Sequence, residues 1–344
     1  MAVTLPESVL ARYERFSLYN SPYPAHDGGR AIDLYPGTLE SGRTTDAPSP
    51  VSGTVLETRT VRAPSKPYAP EHDHLVVLEV EGSSGITDSS GIENSSRSDG
   101  TADAGSVDES DELVARILHV DPAVEAGDRI AAGESLGTLI RSGFFAPWVD
   151  NHLHVGFRRP DQNPVRASGS LPLEIGAGVD ITPLEWDGTG TVVETGETYA
   201  ILDRPPHPNP GAAFAGIRAD GGGVLDGGLP HYDGGGILEA GGAARGPSSV
   251  ESRPASPNGS TTVGDATRLN DGVEEIVALN GDRLGVASGR TIAWDDVAVT
   301  VDGERITGIS LFCARDAAFG VKLVCPDRSF AVGQRVRVRV SARD

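Results

Sequence analysis

Residues 151–158 of the chain read Asn151-His152-Leu153-His154-Val155-Gly156-Phe157-Arg158. Histidine and glycine alternate with apolar residues, which predicts a β-strand with two imidazoles on one face. Two histidines spaced in this way point in the same direction, so both can meet one ion or one reacting group. The alternative is a partly buried strand whose histidines have no joint role. The choice depends on whether the rest of the chain supplies partners for His152 and His154.

The composition favours a mostly β fold. The 344 residues are enough for two domains. The chain contains 44 glycines and 24 prolines, which favour turns and short strands over long helices. Only residues 5–16 have the apolar spacing of a short helix.

A net charge of −20 argues against nucleic acid as a partner, because phosphate binding needs a basic surface. Lys66 and Lys322 are the only lysines. This acidic, lysine-poor composition resembles that of proteins from salt-loving archaea, so the charge indicates a halophilic habitat and not a partner. The sequence contains no apolar run long enough to span a membrane and no signal peptide near its start, so we expect a cytoplasmic protein. Cys313 and Cys325 lack metal-type spacing and are expected to be reduced core residues.

The sequence predicts two all-β domains with a connecting region between them. An N-terminal domain is expected over residues 1–170, with a disordered, polar insertion at about 82–111. Residues 171–262 are predicted to form a hairpin at 188–202 and a connection rich in glycine, proline and serine. Residues 263–344 return to strand patterns and predict a small C-terminal all-β domain.

Several residues in the first half could bind a metal. Six of the eight histidines precede residue 155. Asp33 lies inside a short apolar strand, where a carboxylate is costly unless it is paired or bound to a metal. The segment His72-Asp73-His74 is expected to be a solvated strand edge. The glycines around His231 and Tyr232 indicate a shaped loop against the first domain, with no chemistry assigned.

The order of these pieces resembles that of the M23 family of zinc metallopeptidases, the lysostaphin type with a duplicated hybrid motif. The resemblance covers about residues 25–158. Its pieces are, in order, Ala31-Ile32-Asp33, Pro50-Val51-Ser52-Gly53-Thr54-Val55, a strand ending at His119, the glycine-containing segment from Val124 to Gly137, and His152-Leu153-His154. Biotinyl and lipoyl carrier domains share the hairpin-rich middle segment. They carry a lysine at a turn that has none here, so a carrier role is not expected.

The resemblance implies an N-terminal β-sandwich and a role for each matching residue. Asp33 matches the aspartate zinc ligand of a His-x-x-x-Asp motif, and His154 matches the third zinc ligand. His119 and His152 match two histidines that orient water or stabilise the oxyanion. Zinc would lower the pKa of a bound water, and a neighbouring imidazole would handle the proton.

One position departs from the family pattern. The residue four before Asp33 should be histidine, and it is Gly29. The nearest histidine is His26, which on a regular strand would face away from the Asp33 side chain. Gly28 and Gly29 could form a bulge that returns His26 to the site. The sequence leaves open whether His26 is the missing ligand.

Two functions remain from the sequence. The first is an M23-like zinc-dependent hydrolase of a peptide or related amide bond. The second is a catalytically inactive M23-like binding or scaffold module, in which the C-terminal β domain contacts a protein partner. The absence of an export signal and the composition argue against a cell-wall hydrolase. The sequence does not give the oligomeric state.

Overall fold

The computed structural model describes residues 2–39, 42–43, 45–82, 86–88, 112–240, 274–316 and 319–343. Most of the predicted insertion at 82–111 lies outside these ranges. Within them, one α-helix (α1) covers Glu7–Leu10, and no helix is long and apolar enough to cross a membrane. The strands of the N-terminal part are β1 (Val3–Leu5), β2 (Arg15–Ser17), β3 (Ile32–Tyr35), β4 (Thr38–Leu39), β5 (Gly42–Arg43), β6 (Asp46–Pro48), β7 (Gly53–Arg62), β8 (His72–Val80), β9 (Thr87–Asp88), β10 (Val114–Leu118), β11 (Val120–Pro122), β12 (Arg129–Ile130), β13 (Ser135–Leu139), β14 (Leu153–Arg158) and β15 (Leu173–Ile175).

The C-terminal part is also built from strands. They are β16 (Ile181–Leu184), β17 (Thr189–Thr195), β18 (Tyr199–Leu202), β19 (Phe214–Ile217), β20 (Val224–Leu229), β21 (Gly234–Leu238), β22 (Glu274–Leu279), β23 (Asp282–Ser288), β24 (Thr291–Trp294), β25 (Val297–Val301), β26 (Glu304–Ile306), β27 (Gly308–Leu311), β28 (Cys313–Ala314), β29 (Lys322–Val324) and β30 (Arg335–Ala342). The mostly β, two-domain fold expected from the composition is confirmed.

A ten-stranded sheet carries the histidine strand at its centre. Its order is β12-β7-β8-β10-β14-β3-β2-β28-β19-β16, so strands of the C-terminal part extend the N-terminal sheet beyond β2. Two three-stranded sheets, β11-β13-β6 and β15-β1-β9, and the pair β4-β5 complete the N-terminal part. All six residues of β14 are buried. The predicted helix at 5–16 is wrong, because β1 and β2 flank the single turn α1 and pair with other strands.

The predicted connecting region at 171–262 is corrected by the structure. Its strands β17, β18, β20 and β21 belong to a twelve-stranded sheet together with strands that follow residue 273. The predicted hairpin is present as the antiparallel pair β17 and β18. The C-terminal domain is therefore larger than residues 263–344 and starts near β16. The stretch at 246–262 lies outside the described residues.

The glycines of this region suggested a loop, but in the structure they lie in strands and allow aromatic side chains to pack closely. A Cβ on Gly235 would lie 2.1 Å from the Trp294 ring, and one on Gly236 would lie 2.1 Å from the Tyr19 ring. Real Cβ atoms do not approach that closely, so only glycine allows these aromatic rings to cover strand β21. Tyr19 belongs to the N-terminal part, so Gly236 lies where the two domains meet.

Two large apolar cores correspond to the two domains. The first core also includes Phe214, Val224 and Leu238 from the C-terminal part, which joins the domains by apolar packing. Cys313 and Cys325 are free thiols and both are buried, as the sequence predicts.

Candidate metal centre

Asp33 and His154 face each other across neighbouring strands. Strand β3 pairs antiparallel with β14, and the register places the Asp33 Cα opposite that of His154. Directly opposed side chains on one sheet face lie close together. The distance from Asp33 Oδ1 to His154 Nδ1 is 3.0 Å, and both residues are buried.

His26 completes a group of three. It ends a 3-10 turn, Pro24–His26, and the chain then passes through Gly28 and Gly29, whose φ values are +64° and +66°. This left-handed backbone, which favours glycine, turns the chain back into β3. His26 Nε2 lies 3.2 Å from Asp33 Oδ1 and 3.1 Å from His154 Nδ1. The structure therefore brings His26 to the site that the sequence left without a third ligand.

The three facing atoms suit a metal ion. Together, His26, Asp33 and His154 offer one nitrogen or oxygen each, all within 4.8 Å of one another. Ligand atoms around a tetrahedral zinc ion are about 3.3 Å apart, since each lies about 2.0–2.2 Å from the metal. The observed separations of 3.0, 3.1 and 3.2 Å are close to that value. Two imidazoles and a carboxylate are also a donor set that zinc accepts.

The hydrogen bonds of His26 and the charge of Asp33 favour a positive charge between the three side chains. His26 Nδ1 donates to the Leu18 carbonyl at 2.7 Å, so Nε2 of neutral His26 presents a lone pair to the Asp33 carboxylate. Burial lowers the pKa of His26, but the Asp33 carboxylate and its hydrogen bonds outweigh burial and leave the pKa raised. Burial raises the pKa of Asp33, yet His152 and His26 hold it well below its ordinary value. Either a proton or a metal ion can supply the positive charge that stabilises the Asp33 carboxylate beside these imidazoles.

His152 lies beside the group and is oriented by the backbone. Its Nε2 lies 3.5 Å from Asp33 Oδ1, and its Nδ1 donates to the Asp150 carbonyl at 2.8 Å. Burial lowers the pKa of His152 to about 4 and that of His154 to about 3. Both imidazoles are therefore neutral at pH 7, the form in which histidine binds metals.

His119 faces the same space from the end of β10. Its φ of +72° is unusual for a residue with a side chain, and its ring centroid lies 5.0 Å from that of His152. The Nδ1 of His119 donates to Asp73 Oδ2 at 2.5 Å, and its backbone N–H donates to Asp73 Oδ1 at 3.0 Å. These two bonds hold both the backbone and the ring of His119. All five residues predicted for the site, His26, Asp33, His119, His152 and His154, are thus brought together.

Asp73 is a site residue that the sequence reasoning missed. The expectation of a solvated edge at residues 72–74 fits His72, which is exposed, but it is wrong for Asp73, which is fully buried. The alternation along β8 contained the signal, because Asp73 shares a face with Leu75 and Val77, both buried. Burial raises the pKa of Asp73, but His119 and its hydrogen bonds outweigh burial and lower the pKa to about 2.

The C-terminal domain holds the backbone behind His26. Asp226 in β20 accepts hydrogen bonds from Ser17 Oγ at 2.5 Å, from the Leu18 N–H at 2.6 Å and from the Tyr19 N–H at 3.3 Å. Leu18 is the residue whose carbonyl accepts the hydrogen bond from His26. Burial raises the pKa of Asp226 to about 7. This buried carboxylate thus links β20 to the orientation of one candidate ligand.

A buried ion pair makes a second link between the domains. The Nζ of Lys322 in β29 lies 3.2 Å from Asp150 Oδ2, and Arg15 lies 2.7 Å from the same oxygen. Lys322 is 4% exposed and Asp150 is 8% exposed. Because the Asp150 carbonyl accepts the hydrogen bond from His152, this pair fixes the residue that orients His152.

A cavity of about 170 Å³ opens onto the group. His26, Asp33, His119, His152 and His154 all line it. Aromatic and aliphatic side chains form the rest of the wall, with Phe144, Phe145 and Val149 next to the histidines. Tyr232 of the C-terminal domain also lines the cavity, so the loop at residues 231–232 does pack against the first domain.

Comparison with curated proteins finds no match, and comparison with solved structures finds none either. Family models do match. The DUF8155 N-terminal domain matches residues 4–175, and the DUF8155 C-terminal domain matches residues 182–341; both are described as domains of unknown function. The boundary between these matches lies at the start of β16, the first strand of the C-terminal part. The chain therefore belongs to the DUF8155 family and contains both of its domains.

Proposed function

We propose that this protein is a zinc-dependent hydrolase of the M23 type that cleaves a peptide or related amide bond. The observation that carries the proposal is the convergence of His26 Nε2, Asp33 Oδ1 and His154 Nδ1 to within 3.2 Å of one another in a buried site. Three protein ligands with one open position are the arrangement of a catalytic zinc site.

Zinc at this position would supply Lewis acidity and an activated water. His26, Asp33 and His154 would hold it. His119 is suited to proton transfer, because Asp73 binds its Nδ1–H and leaves Nε2 free to take a proton from water or to give one to the leaving amine. His152, with Nδ1 bound to the Asp150 carbonyl, directs Nε2 toward the same space and can stabilise developing negative charge.

The enclosure of the site favours small substrates. His26 and Asp33 are each 3% exposed, and the cavity in front of them is small and partly closed by Tyr232. A cross-linked polymer would not fit such a space without movement of the wall. A short peptide or an acylated amino acid matches it better.

Two variants test the proposal together. Wild-type protein should carry one zinc ion per chain after zinc loading and dialysis, measured by elemental analysis, and should release amino acids from a mixture of short peptides. His154→Ala should lose both properties, whereas His74→Ala should keep both, because His74 lies outside the site. Wild-type protein without stoichiometric zinc at saturating supply would rule out the enzyme.

A third variant separates metal binding from catalysis. His119→Ala should keep its zinc and lose hydrolysis by about 100-fold or more, because general acid–base catalysis contributes at least that factor. Stoichiometric zinc in wild type without cleavage of any peptide would instead support the non-catalytic binding module as the function of this chain.

A further inference from the structure

Arg116 is a buried cation in the wall of the same cavity. It lies in β10, is 4% exposed and lines the cavity together with His119 and His154. Its Nε donates to the Pro164 carbonyl at 3.1 Å. Among the described residues, no carboxylate forms an ion pair with its guanidinium, and no acceptor binds its two terminal nitrogens.

The surroundings of Arg116 disfavour its positive charge. Burial has the largest effect and lowers the pKa of Arg116, the cation Arg158 lowers it further, and the Asp73 carboxylate raises it without offsetting them, so the pKa is lowered to about 10. The terminal nitrogens of Arg158 donate hydrogen bonds to the carbonyls of Asn163, Arg166 and Ser168. A buried charge is costly unless it is paired, so this position favours an anion from outside the chain.

The strand register places Arg116 two residues along the sheet from the position opposite His154. The Cα of Arg116 is opposite that of Gly156, and the Cα of Leu118 is opposite that of His154. Two residues along a strand span roughly 7 Å. One peptide residue of about 3.8 Å followed by a charged hydrogen bond of about 2.8 Å covers a similar distance. A carboxylate bound by Arg116 would therefore lie about one residue from a bond held at the metal site.

We propose that Arg116 binds the free carboxylate of the substrate, which makes the substrate a short peptide or an acylated amino acid cleaved at its C-terminal residue. This inference rests on the proposed hydrolase. Water adds its oxygen to the amide carbonyl carbon, the C–N bond breaks, and the amine nitrogen takes a proton. The products are a carboxylic acid and a free amino acid whose carboxylate is held by Arg116.

A binding experiment tests Arg116 without any need for turnover. N-acetylglycine and N-acetylglycinamide differ only in the carboxylate, and each is titrated by NMR into zinc-free and into zinc-loaded protein. Zinc-free wild type should bind N-acetylglycine about tenfold or more tightly than the amide, because a hydrogen bond to a charged group contributes about that much. The zinc-free arm is decisive, since a carboxylate can also bind the metal.

Matched variants assign the preference to one residue. Arg116→Gln should lose the preference for the carboxylate, Arg116→Lys should keep part of it, and Arg59→Gln should keep all of it, because Arg59 is an exposed arginine and gives the same change in net charge. Equal affinity of zinc-free wild type for the two ligands, or no binding of either, would overturn the proposal whether or not Arg116→Gln folds. So would a preference that survives in Arg116→Gln. None of these results depends on zinc, so failure of the hydrolase is recognised separately.

Discussion

Gly29 occupies the position where the M23 pattern has a ligand, and its backbone explains how the His26 side chain reaches Asp33 and His154. Its φ of +66° is a conformation that residues with a side chain rarely adopt, and a Cβ there would lie 2.8 Å from the Tyr19 hydroxyl. The two glycines at 28 and 29 therefore supply the turn that a regular strand lacks. From the sequence, their permissive backbone was visible, but the direction of the turn was not.

Gly29→Ala should displace His26. We expect zinc affinity to fall about tenfold or more and stability to fall by about 1–2 kcal/mol. Chelator competition measures the first and urea unfolding the second. Gly127→Ala is the control, because Gly127 also has a positive φ (+98°) but a Cβ there meets nothing within 4 Å. It should lose stability and keep zinc; equal zinc affinity in the two variants would contradict the role of the turn.

Asp73→Asn should weaken catalysis and change the acid response of the fold. Asparagine cannot accept as the carboxylate does from the Nδ1–H and the backbone N–H of His119, so hydrolysis should fall about 100-fold while zinc remains bound. The folded-state pKa of Asp73 is about 2, below its ordinary value of 3.8. The unfolded chain therefore binds more protons between these values, and the stability from ionised Asp73 is fully present above pH 3.8 and is lost as pH falls through 2.

The measurement is the difference in free energy of unfolding between wild type and Asp73→Asn. At pH 7 it should be about 2 kcal/mol, from the size of the pKa shift, and it should shrink as pH falls from 4 to 2. Asp121→Asn, at a largely exposed carboxylate on β11, should show no such change. A difference that stays constant with pH would contradict the assigned pKa.

At the scale of elements, the sequence predicted strand β14 and its histidine face but not its neighbours. The alternation of residues predicted the strand, and the carboxylate inside a short apolar segment identified Asp33 as a candidate ligand. The register that places Asp33 opposite His154 depends on long-range pairing, which no local pattern encodes. The same limit hid the partner of Asp73, since His119 is 46 residues away.

Strand β29 reaches the site through Lys322. Lys322→Met should remove one cation from buried Asp150 and destabilise the protein by about 2 kcal/mol, the usual contribution of a hydrogen bond to a charged group. Hydrolysis should fall more than zinc affinity does, since the Asp150 carbonyl orients His152 and not a ligand. Lys66→Met, at the exposed second lysine, is the control. An unchanged melting temperature and rate in Lys322→Met would show that β29 does not support the site.

At the scale of the whole molecule, the two domains form one site. Tyr232 lines the cavity, Lys322 holds Asp150 and Asp226 holds Leu18, and all three come from the C-terminal domain. The sequence predicted two β domains but placed their boundary too late, because the glycines of β20 and β21 look like a loop in a single sequence. Their packing role depends on Tyr19 and Trp294, which are distant along the chain.

Asp226→Ala tests this dependence across the domains. Loss of the bonds to Ser17, Leu18 and Tyr19 should free the carbonyl that orients His26, so zinc affinity should fall about tenfold. Asp220→Ala is the matched control, because Asp220 also accepts from two backbone N–H groups but only within the C-terminal domain. Equal zinc affinity in the two variants would mean that the C-terminal domain does not shape the metal site.

Anomalous X-ray scattering at the zinc edge from a zinc-soaked crystal tests whether His26, Asp33 and His154 bind one metal ion. We expect one strong peak about 2.0–2.2 Å from His26 Nε2, Asp33 Oδ1 and His154 Nδ1. A peak at His72 and His74 with none at this site, or no peak at saturating zinc, would contradict it.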